Sequence, residues 1–384
     1  MLIKTFAAKN YRNIEDASLA FSPGINLLYG QNAQGKTNVL EGIYTFARGK
    51  SFRGASDGEQ VRFGERGFSI SLGFFDGTRD QTLSYRYGRG VRERTRNGAP
   101  LSSLREMMGI FRAVLFTPEH LSLVKGGPSE RRLFANVGIS QLRPSYLGLV
   151  SRYNTILEQR NSLLKCAQKG EAVDMAMFEV WNRSLAEAAA DIALLRASYL
   201  RAVGDEAAKC MEDISAGKEK LTIFYEGNFE ITNLPETDRP LDILLAVRAE
   251  ERNSIISRYE ELFSSRVERE IAAGHSLFGI QHDDICIKIN EKDARNFASQ
   301  GQQRSVALAL KLAEGEISRK ESGEYPVFLF DDVLSELDGA RREYLLASVR
   351  DRQVILTACE SYGIEHISAN IISVEDGRYD PAHR

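Results

Sequence analysis

The amino-terminal part of the chain has the hydrophobic pattern of short strands separated by turns. Residues Ile25–Tyr29 have the pattern of a buried strand. Two further strand-like stretches, 68–75 and 81–87, flank Asp76 and Gly77. Because an Asp-Gly pair suits a tight turn, this pattern predicts a β-hairpin.

From about Ser145 the apolar positions recur at the spacing of helices. Two stretches place apolar residues at a/d-like positions, which is the pattern of a coiled-coil seam. The positions are Val150, Tyr153, Leu157 and Leu164 in the first stretch, and Phe178, Trp181, Leu185, Ala188, Ile192, Leu195, Tyr199 and Ala202 in the second. Since a turn containing Gly170 joins the two stretches, the pattern predicts an antiparallel helical arm.

The rest of the chain returns to a mixed pattern. A strand at 221–225 and a helix over 241–273 are predicted first. From Ile285 the order is a strand, a polar loop, a long helix over 306–319 and an apolar strand at 327–330. The two ends are therefore predicted to be α/β, and the middle of the chain largely helical.

Charge is distributed unevenly along the 384 residues, although the total is close to neutral. The chain has 50 Lys and Arg against 53 Asp and Glu, a net charge of −3. This balance excludes a protein held to nucleic acid or membranes by bulk positive charge. Residues 86–132, however, contain ten Lys and Arg against four Asp and Glu, whereas residues 204–251 contain five against twelve. A local basic surface is therefore compatible with a weakly acidic protein.

The cysteine pattern and the lack of long apolar runs bear on location. The four cysteines are Cys166, Cys210, Cys286 and Cys359. They form no Cys-x-x-Cys pair, so neither disulfides nor a cysteine-based zinc site is expected, and a reducing cytoplasm fits best. No stretch approaches the roughly 18 consecutive apolar residues of a membrane helix. We therefore expect a cytoplasmic protein without a membrane partner.

One octapeptide gives the clearest indication of a binding site in the sequence. It matches the phosphate-loop pattern G-x-x-x-x-G-K-[ST] and consists of Gly30, Gln31, Asn32, Ala33, Gln34, Gly35, Lys36 and Thr37. It lies between a predicted strand and a predicted helix that opens with Asn38, so backbone N–H groups can surround a phosphate at a helix amino terminus. Lys36 is expected to reach the β- and γ-phosphates of ATP, and the Thr37 hydroxyl to bind Mg²⁺.

A pair of carboxylates follows the apolar strand at 327–330. Asp331 is expected to hold the Mg²⁺, directly or through water, and Asp332 to orient and deprotonate the attacking water. Together with Lys36 they form the predicted catalytic set. Apolar strands ending in Asp are common, so this interpretation depends on the phosphate loop that accompanies it.

A third segment resembles the signature motif of ABC-type ATPases. It consists of Ser299, Gln300, Gly301 and Gln302 and is followed by a predicted helix. A further segment, 335–338, resembles the D-loop of the same ATPases. In that superfamily the signature loop contacts the γ-phosphate bound by the other subunit, a role that suits a helix amino terminus. The resemblance implies that ATP is buried between two heads and that ATP binding favours a homodimer.

Nearly the whole chain resembles the RecF family, bacterial recombination and replication-repair ATPases related to SMC proteins. The matching segments are 10–13, 30–38, 50–53, 116–119, 125–128 with 131–132, 159–161, 299–314 and 331–338. The resemblance implies an α/β fold, with an ABC-type P-loop ATPase head formed by residues 1–120 and 276–384. Residues 121–275 would be inserted into this head as a mainly helical arm or lid domain. Arg12 and Asn13 would lie near the nucleotide.

The resemblance also implies a function. It indicates an ATP-dependent DNA-binding protein of recombinational repair and replication, with ATP and Mg²⁺ as cofactors and a weak, DNA-stimulated ATPase activity. ATP binding would drive head-to-head dimerisation and DNA clamping, and slow hydrolysis would release the DNA. The implied partners are single-stranded and gapped duplex DNA, RecR, RecO and the RecA pathway, with a role in SOS induction. From the residues themselves, the basic segment adds phosphate contacts whose strength would depend on salt, from Arg86, Arg89, Arg92, Arg94 and Arg96.

The chain departs from the expected family pattern in several places. His120, Asn136 and the segment 279–282 differ from the residues expected there. The segment 357–359 shows no switch histidine, and Asp332 is one methylene shorter than the Glu usual in transporter ATPases. The last two features favour slow hydrolysis, which suits a switch better than a pump.

Two other classes of function remain open from the residues alone. A transporter ATPase subunit would have the same nucleotide motifs, but it would not need the helical arm and would require a membrane partner. An SMC-type structural DNA tether fits the arm, but its two heptad stretches span tens of residues rather than hundreds.

Overall fold

A computed structural model describes residues 1–232, 234–359 and 369–381. The contacts between residues divide the chain into two compact units. Unit 1 consists of Met1–Val124, Glu206–Lys220 and Ala298–Arg384, and unit 2 of Lys125–Asp205 and Leu221–Phe297. The sequence predicts residues 276–297 in the head, but they group with the helical unit; it predicts residues 121–124 and 206–220 in the arm, but they group with unit 1.

The elements are numbered here in chain order. The strands of the described residues are β1 (Leu2–Tyr11), β2 (Ile14–Ala20), β3 (Ile25–Tyr29), β4 (Gly67–Phe75), β5 (Asp80–Gly88), β6 (Val91–Arg96), β7 (Ala99–Pro100), β8 (Ala113–Phe116), β9 (Leu221–Glu226), β10 (Asp284–Ile289), β11 (Lys292–Asp293), β12 (Val327–Asp331), β13 (Val354–Ala358), β14 (Ala369–Glu375) and β15 (Arg378–Pro381). The helices are α1 (Lys36–Arg48), α2 (Asp57–Gln60), α3 (Leu104–Met107), α4 (Ser122–Lys125), α5 (Pro128–Leu142), α6 (Ser145–Gln168), α7 (Met175–Ser215), α8 (Ile243–Ala246), α9 (Ala249–Ser265), α10 (Val267–Ala273), α11 (Ala294–Phe297), α12 (Gln300–Ser322), α13 (Val333–Glu336) and α14 (Gly339–Ser348), with 3₁₀ turns at Pro118–Leu121 and Pro240–Asp242.

The first sheet of unit 1 is antiparallel, with the strand order β2-β1-β4-β5-β6-β7. Strands β4 and β5 pair from Gly67 opposite Gly88 to Phe75 opposite Asp80, which confirms the predicted hairpin. Alternate residues of β4 are buried, as expected for a sheet with one face on the core. The buried face packs into one cluster with apolar residues of α1.

The second sheet of unit 1 positions the residues of the candidate nucleotide-binding site. Its strand order is β15-β14-β3-β13-β12-β8, and every neighbouring pair except β14–β15 is parallel. Strands β12 and β13 are apolar and buried on both faces, which is typical of a parallel sheet covered by helices. The strand predicted at Ile25–Tyr29 is confirmed as β3 and lies beside β13. The carboxyl ends of β3, β12 and β13 therefore meet at one edge, where open α/β sheets bind ligands.

Unit 2 combines helices with a small antiparallel sheet in the order β11-β10-β9. Strand β10 pairs with β9 from Asp284 opposite Glu226 to Ile289 opposite Leu221. This pairing explains why residues 284–289 group with unit 2, although they follow its helices in sequence.

Helix α7 differs from the coiled-coil seam that its heptads predict. The antiparallel alignment with α6 is present, since Arg160 Nε donates to Asn182 Oδ1 at 2.8 Å and Arg196 Nε donates to Tyr146 Oη at 3.1 Å. Between Ala188 and Leu200, however, almost every residue is buried, including those outside the a and d positions. A helix buried on all sides is a core helix. Unit 2 is therefore packed around α7 and is more than a two-helix arm.

Two predicted helices have different bounds. The helix predicted over 241–273 is interrupted, because Val247 is extended and α9 starts only after Arg248, whose backbone N–H donates to Glu251 Oε2 at 3.4 Å. The helix expected over 306–319 is longer and begins at Gln300, so Ser299 is its amino-terminal cap. Within the described residues, we found no helix both long enough and apolar enough to cross a bilayer.

Candidate nucleotide-binding site

The phosphate loop connects β3 to α1 and is shaped by its glycines. Gly35 has a φ of 115° and caps α1. A Cβ atom there would lie 2.8 Å from Asn13 Oδ1 and 2.9 Å from the Tyr379 hydroxyl. A Cβ at Gly30 would lie 2.2 Å from the Val374 carbonyl oxygen. Both positions therefore need glycine, because any side chain would push the loop away from its neighbours.

Lys36 is held inside the curve of this loop. It is only 6% exposed, and its Nζ donates to the carbonyl oxygens of Gly30 and Gln31, the latter at 2.8 Å. Its Nζ also lies 3.2 Å from Cys359 Sγ, and that thiol donates to Asn32 Oδ1 at 2.8 Å. The ammonium group is thus fixed where a loop-bound phosphate would meet it.

Three oxygen-bearing side chains meet beside the loop. Thr37 Oγ1 and Thr357 Oγ1 donate to Asp331 Oδ1 at 2.8 and 2.9 Å. Asp331 ends β12 and is paired in register with Thr357 of β13, while Thr37 is the second residue of α1. Burial raises the pKa of the Asp331 carboxyl, and the neighbouring Asp332 acts in the same direction against the two threonine hydrogen bonds.

This donor set fits Mg²⁺. A hydroxyl and a carboxylate are hard oxygen ligands, and Mg²⁺ is usually bound by one or two carboxylates while phosphate and water complete its shell. Thr37 and Asp331 are therefore suited to hold the ion that the phosphate loop implies.

Asp332 occupies a constrained position after β12. Its φ is 50°, and its backbone N–H donates to Thr357 Oγ1 at 2.9 Å. The left-handed backbone turns the chain out of the sheet into α13, whose Ser335 hydroxyl donates to the Asp332 carbonyl at 2.7 Å. The predicted D-loop thus begins directly beside the predicted water-activating carboxylate.

The turn after β1 contacts the phosphate loop through amide side chains. Asn13 Nδ2 donates to the Gln34 carbonyl at 3.1 Å, and Asn38 Nδ2 donates to Asn13 Oδ1 at 2.7 Å. Arg12, in contrast, forms a two-pronged ion pair with the fully buried Glu41 of α1, with Nε–Oε2 at 2.9 Å. Asn13 therefore supports the loop, and a direct nucleotide contact by Arg12 stays a prediction.

The signature segment starts α12 with a capping box. The Ser299 hydroxyl accepts from the Gln302 backbone at 3.2 Å, and Gln302 Oε1 accepts from the Ser299 backbone at 2.8 Å. Gln300 opens the helix, and a Cβ at Gly301 would lie 3.4 Å from Arg341 Nη2 of α14. No hydrogen bond joins Ser299 to the phosphate loop among the residues that the structure describes, and its contact with a nucleotide stays a prediction.

Four residues of the site have no predicted role in it: Glu41, Thr357, Cys359 and Tyr379. The segment 357–359 stands out in the sequence only because it lacks a switch histidine. Glu41 carried a usable signal, since it is a lone carboxylate on the otherwise apolar side of α1. Thr357 and Tyr379 carried none, because they contact Asp331 and the Gly35 carbonyl only through sheet pairing and folding of distant segments.

The chain is similar to a protein-family model and to known proteins over nearly its whole length. The model of the RecF/RecN/SMC N-terminal domain matches residues 2–378. The DNA replication and repair protein RecF of Lacticaseibacillus casei is 38% identical over 368 residues, 95% of each chain. That of Desulfitobacterium hafniense is 37% identical over 379 residues, 98% of this chain and 99% of its own. A solved structure of the recombination mediator protein RecF with ATP has a TM-score of 0.88 at 32% identity, covering 100% of this chain and 98% of its own. An SMC head solved with a ScpA domain has a TM-score of 0.55 at 15% identity and shows a shared fold alone.

The fold and the site together define an ABC-type ATPase head of the kind found in SMC proteins. The chain belongs to the RecF family of DNA replication and repair proteins. The resemblance to this family and the predicted α/β fold class are thereby confirmed, and the transporter interpretation is set aside.

Replacing Asp331 by Asn should separate stability from activity. Because the folded-state pKa of Asp331 is raised, the folded protein binds a proton more readily than the unfolded chain does. Stability is therefore lost as pH rises from the ordinary Asp pKa through the raised one. Asp331→Asn should unfold at a higher temperature than the parent at pH 7 without nucleotide, yet lose ATP turnover on the order of 100-fold.

Thermal unfolding between pH 4 and pH 8 and steady-state ATPase assays measure both effects. Asp351→Asn changes an exposed carboxylate and should move neither. A variant at Asp331 that is less stable than the parent at pH 7 would show that burial does not dominate the pKa of this carboxyl.

Proposed function

We propose that this protein is an ATP-dependent DNA-binding protein of recombinational repair and replication. ATP with Mg²⁺ binds the phosphate loop, draws two heads together and closes them on DNA, and slow hydrolysis releases the DNA. The observation that carries this proposal is the hydrogen bond between Thr37 and Asp331, beside a buried Lys36. This hydrogen bond brings a hydroxyl and a carboxylate, oxygen groups that suit Mg²⁺, together at one edge of the sheet, which supports the proposal. A relative of this fold has been solved with ATP.

Each residue of the site has a separate chemical role in this proposal. Lys36 neutralises phosphate charge from inside the loop, and the loop N–H groups and the α1 amino terminus orient the phosphates. Thr37 and Asp331 would hold Mg²⁺, which would supply positive charge against the charge that develops on the phosphate. Asp332 orients and deprotonates the attacking water. After β13, the residue beside Lys36 is Cys359, where a switch histidine is expected. The Asp332 side chain is also one methylene shorter than that of Glu. For these two reasons we expect ATP turnover to be slow.

The DNA partners follow from the family and from the basic hairpin. The relatives are replication and repair proteins, and one is described as a recombination mediator in the RecFOR pathway. We propose that this protein acts at single-stranded and gapped duplex DNA with RecR and RecO, promotes RecA loading and contributes to the SOS response. The ATPase is proposed to be weak and stimulated by DNA. The hairpin of β5 and β6 carries arginines that suit phosphate contacts.

A charge substitution at Ser299 tests the dimer mechanism. Asp caps a helix as well as Ser does, but it would place a negative charge against the γ-phosphate of the other subunit. Ser299→Asp should bind ATP as the parent does, show no increase in mass by light scattering on ATP addition, and lose ATP-dependent DNA retention by at least about 10-fold.

Ser299→Asn is the matched control. It caps α12 equally well without the charge, and it should keep an ATP-dependent increase in mass. If the parent shows no change in mass with ATP, or if Ser299→Asp dimerises as the parent does, the dimer-gated mechanism is wrong.

A further inference from the structure

The turn that precedes β4 presents an aromatic side chain entirely to solvent. Phe63 is 102% exposed, more than any other large apolar residue among those described. Its neighbours Arg62 and Arg66 flank it in the chain, and Glu65 N donates to the Arg62 carbonyl at 3.0 Å, which closes the turn. A phenyl ring held away from all packing contributes nothing to the core of unit 1.

The turn stands beside the basic hairpin. Arg62 N donates to the Asn10 carbonyl of β1 at 2.9 Å, and Gly67 at the start of β4 pairs with Gly88 at the end of β5. A groove of about 380 Å³ opens between β1, β4 and the β5–β6 hairpin. Its lining includes Lys9, Ser69, Arg86, Val91 and Glu93. The exposed ring, the groove and the arginines of the hairpin therefore belong to one surface.

The cations of this surface differ in whether they are already paired. Arg62 lies 3.1 Å from Glu15, and Arg92 lies 2.5 Å from Asp57. Arg66, Arg86 and Arg89, however, make no ion pair and no side-chain hydrogen bond within the described part of the chain, and Arg86 and Arg89 are exposed. Three unpaired guanidinium groups on segments that adjoin the turn of Phe63 complement a polyanion that also offers flat apolar faces.

From these features we propose that Phe63 stacks on an unpaired DNA base while Arg66, Arg86 and Arg89 contact the adjoining phosphates. This inference rests on the proposed DNA-binding function and gives the basic hairpin a preference for single-stranded DNA, including the unpaired strand at a gap. Stacking on an aromatic ring is tolerant of sequence, because every base has a π-face. In a closed duplex the bases are already stacked, so Phe63 has no face to contact.

A fluorescence measurement tests the stacking directly. The chain has one tryptophan, Trp181, which lies in unit 2. In a Trp181→Phe background, Phe63→Trp places the only indole in the turn. Its emission should be quenched by a single-stranded oligonucleotide and by a gapped duplex, and it should be unchanged by a blunt duplex of equal charge.

Affinity measurements give the size of the effect. Phe63→Ala should weaken single-stranded DNA binding by about 5- to 150-fold, the range expected for one stacked base, and leave blunt-duplex binding at the parental level. Phe63→Tyr should restore the parental affinity. Phe297→Ala, which removes another exposed phenylalanine in unit 2 (71% exposed), should have no effect.

The outcomes separate this inference from the proposed function. If the parent retains DNA with ATP but Phe63→Ala binds single-stranded DNA normally, or weakens both forms of DNA equally, the stacking inference is wrong and the proposed function stands. If Phe63→Ala alters only the ATP-dependent mass, the ring contacts a second copy of the chain instead, which also overturns the inference. If the parent retains no DNA with or without ATP, both proposals fail together.

Discussion

ATP turnover should fall by at least about 100-fold when Lys36 is replaced by alanine. The ammonium is buried inside the phosphate loop and is aimed by the carbonyl oxygens of Gly30 and Gln31. Removing one preorganised charge-stabilising group from a protected site costs roughly 2.7 to 4 kcal/mol of transition-state stabilisation, or 100- to 1,000-fold in rate. Steady-state ATP hydrolysis, with and without DNA, measures this loss.

The same variant should lose ATP-dependent DNA retention and the ATP-dependent increase in mass. Lys4→Ala is the matched control, because Lys4 is an exposed lysine of unit 1 that pairs with Asp80 on the surface at 2.6 Å. It should hydrolyse ATP at the parental rate. Thermal unfolding shows whether each variant is folded. A folded Lys36→Ala protein that dimerises and retains DNA with ATP as the parent does would disprove the proposed mechanism.

Replacing Glu270 by alanine should destabilise unit 2 by about 3 to 5 kcal/mol, the cost of breaking a buried ion pair. Glu270 Oε2 accepts from Arg160 Nη2 at 2.6 Å, and both side chains are fully buried. Arg160 also donates to Asn182 Oδ1 at 2.8 Å and Ser276 Oγ at 2.7 Å. Without Glu270 the guanidinium would remain buried with no countercharge.

Urea unfolding followed by tryptophan emission measures this effect. Trp181 is the only tryptophan and directly precedes Asn182, so its signal reports on the part of unit 2 that contains the pair. Arg183→Ala is the control, because Arg183 is 76% exposed and pairs with Glu187 at 3.8 Å. It should change stability by less than about 0.5 kcal/mol. A double variant, Arg160→Met with Glu270→Leu, should recover much of the loss, because an apolar pair needs no countercharge. An unfolding midpoint of Glu270→Ala equal to that of the parent would show that the pair contributes no stability.

The sequence determined the local chemistry of the site. The loop from Gly30 to Thr37 needs glycines where the backbone turns sharply, and the residue types in it are those that bind phosphate and Mg²⁺. These requirements involve only residues close together in the sequence, so the phosphate loop could be predicted without knowledge of the fold. The hairpin of β4 and β5 was readable for the same reason, since alternation and an Asp-Gly turn are both local.

The heptads of α7 show where local pattern was insufficient. Apolar residues spaced alternately three and four positions apart are equally compatible with a two-helix seam and with a helix buried in a core. What distinguishes them is the burial of residues outside the seam, such as Ala189 and Ala193. Alanine is common at both buried and exposed positions of helices, so it does not indicate burial in a sequence. Only the elements packed around α7 show that this helix lies at the centre of unit 2.

Tertiary structure alone decided how distant segments complete the site. Thr37 and Asp331 are 294 positions apart, and Thr357 joins them because β12 and β13 pair in register. The Tyr379 hydroxyl donates to the Gly35 carbonyl at 3.1 Å, which ties the hairpin of β14 and β15 to the phosphate loop. The sequence by itself therefore determines which groups are suited to a phosphate and a metal ion, because that chemistry belongs to single residues and short loops. Which of those groups meet depends on sheet order and register, and these are set by packing over the whole unit.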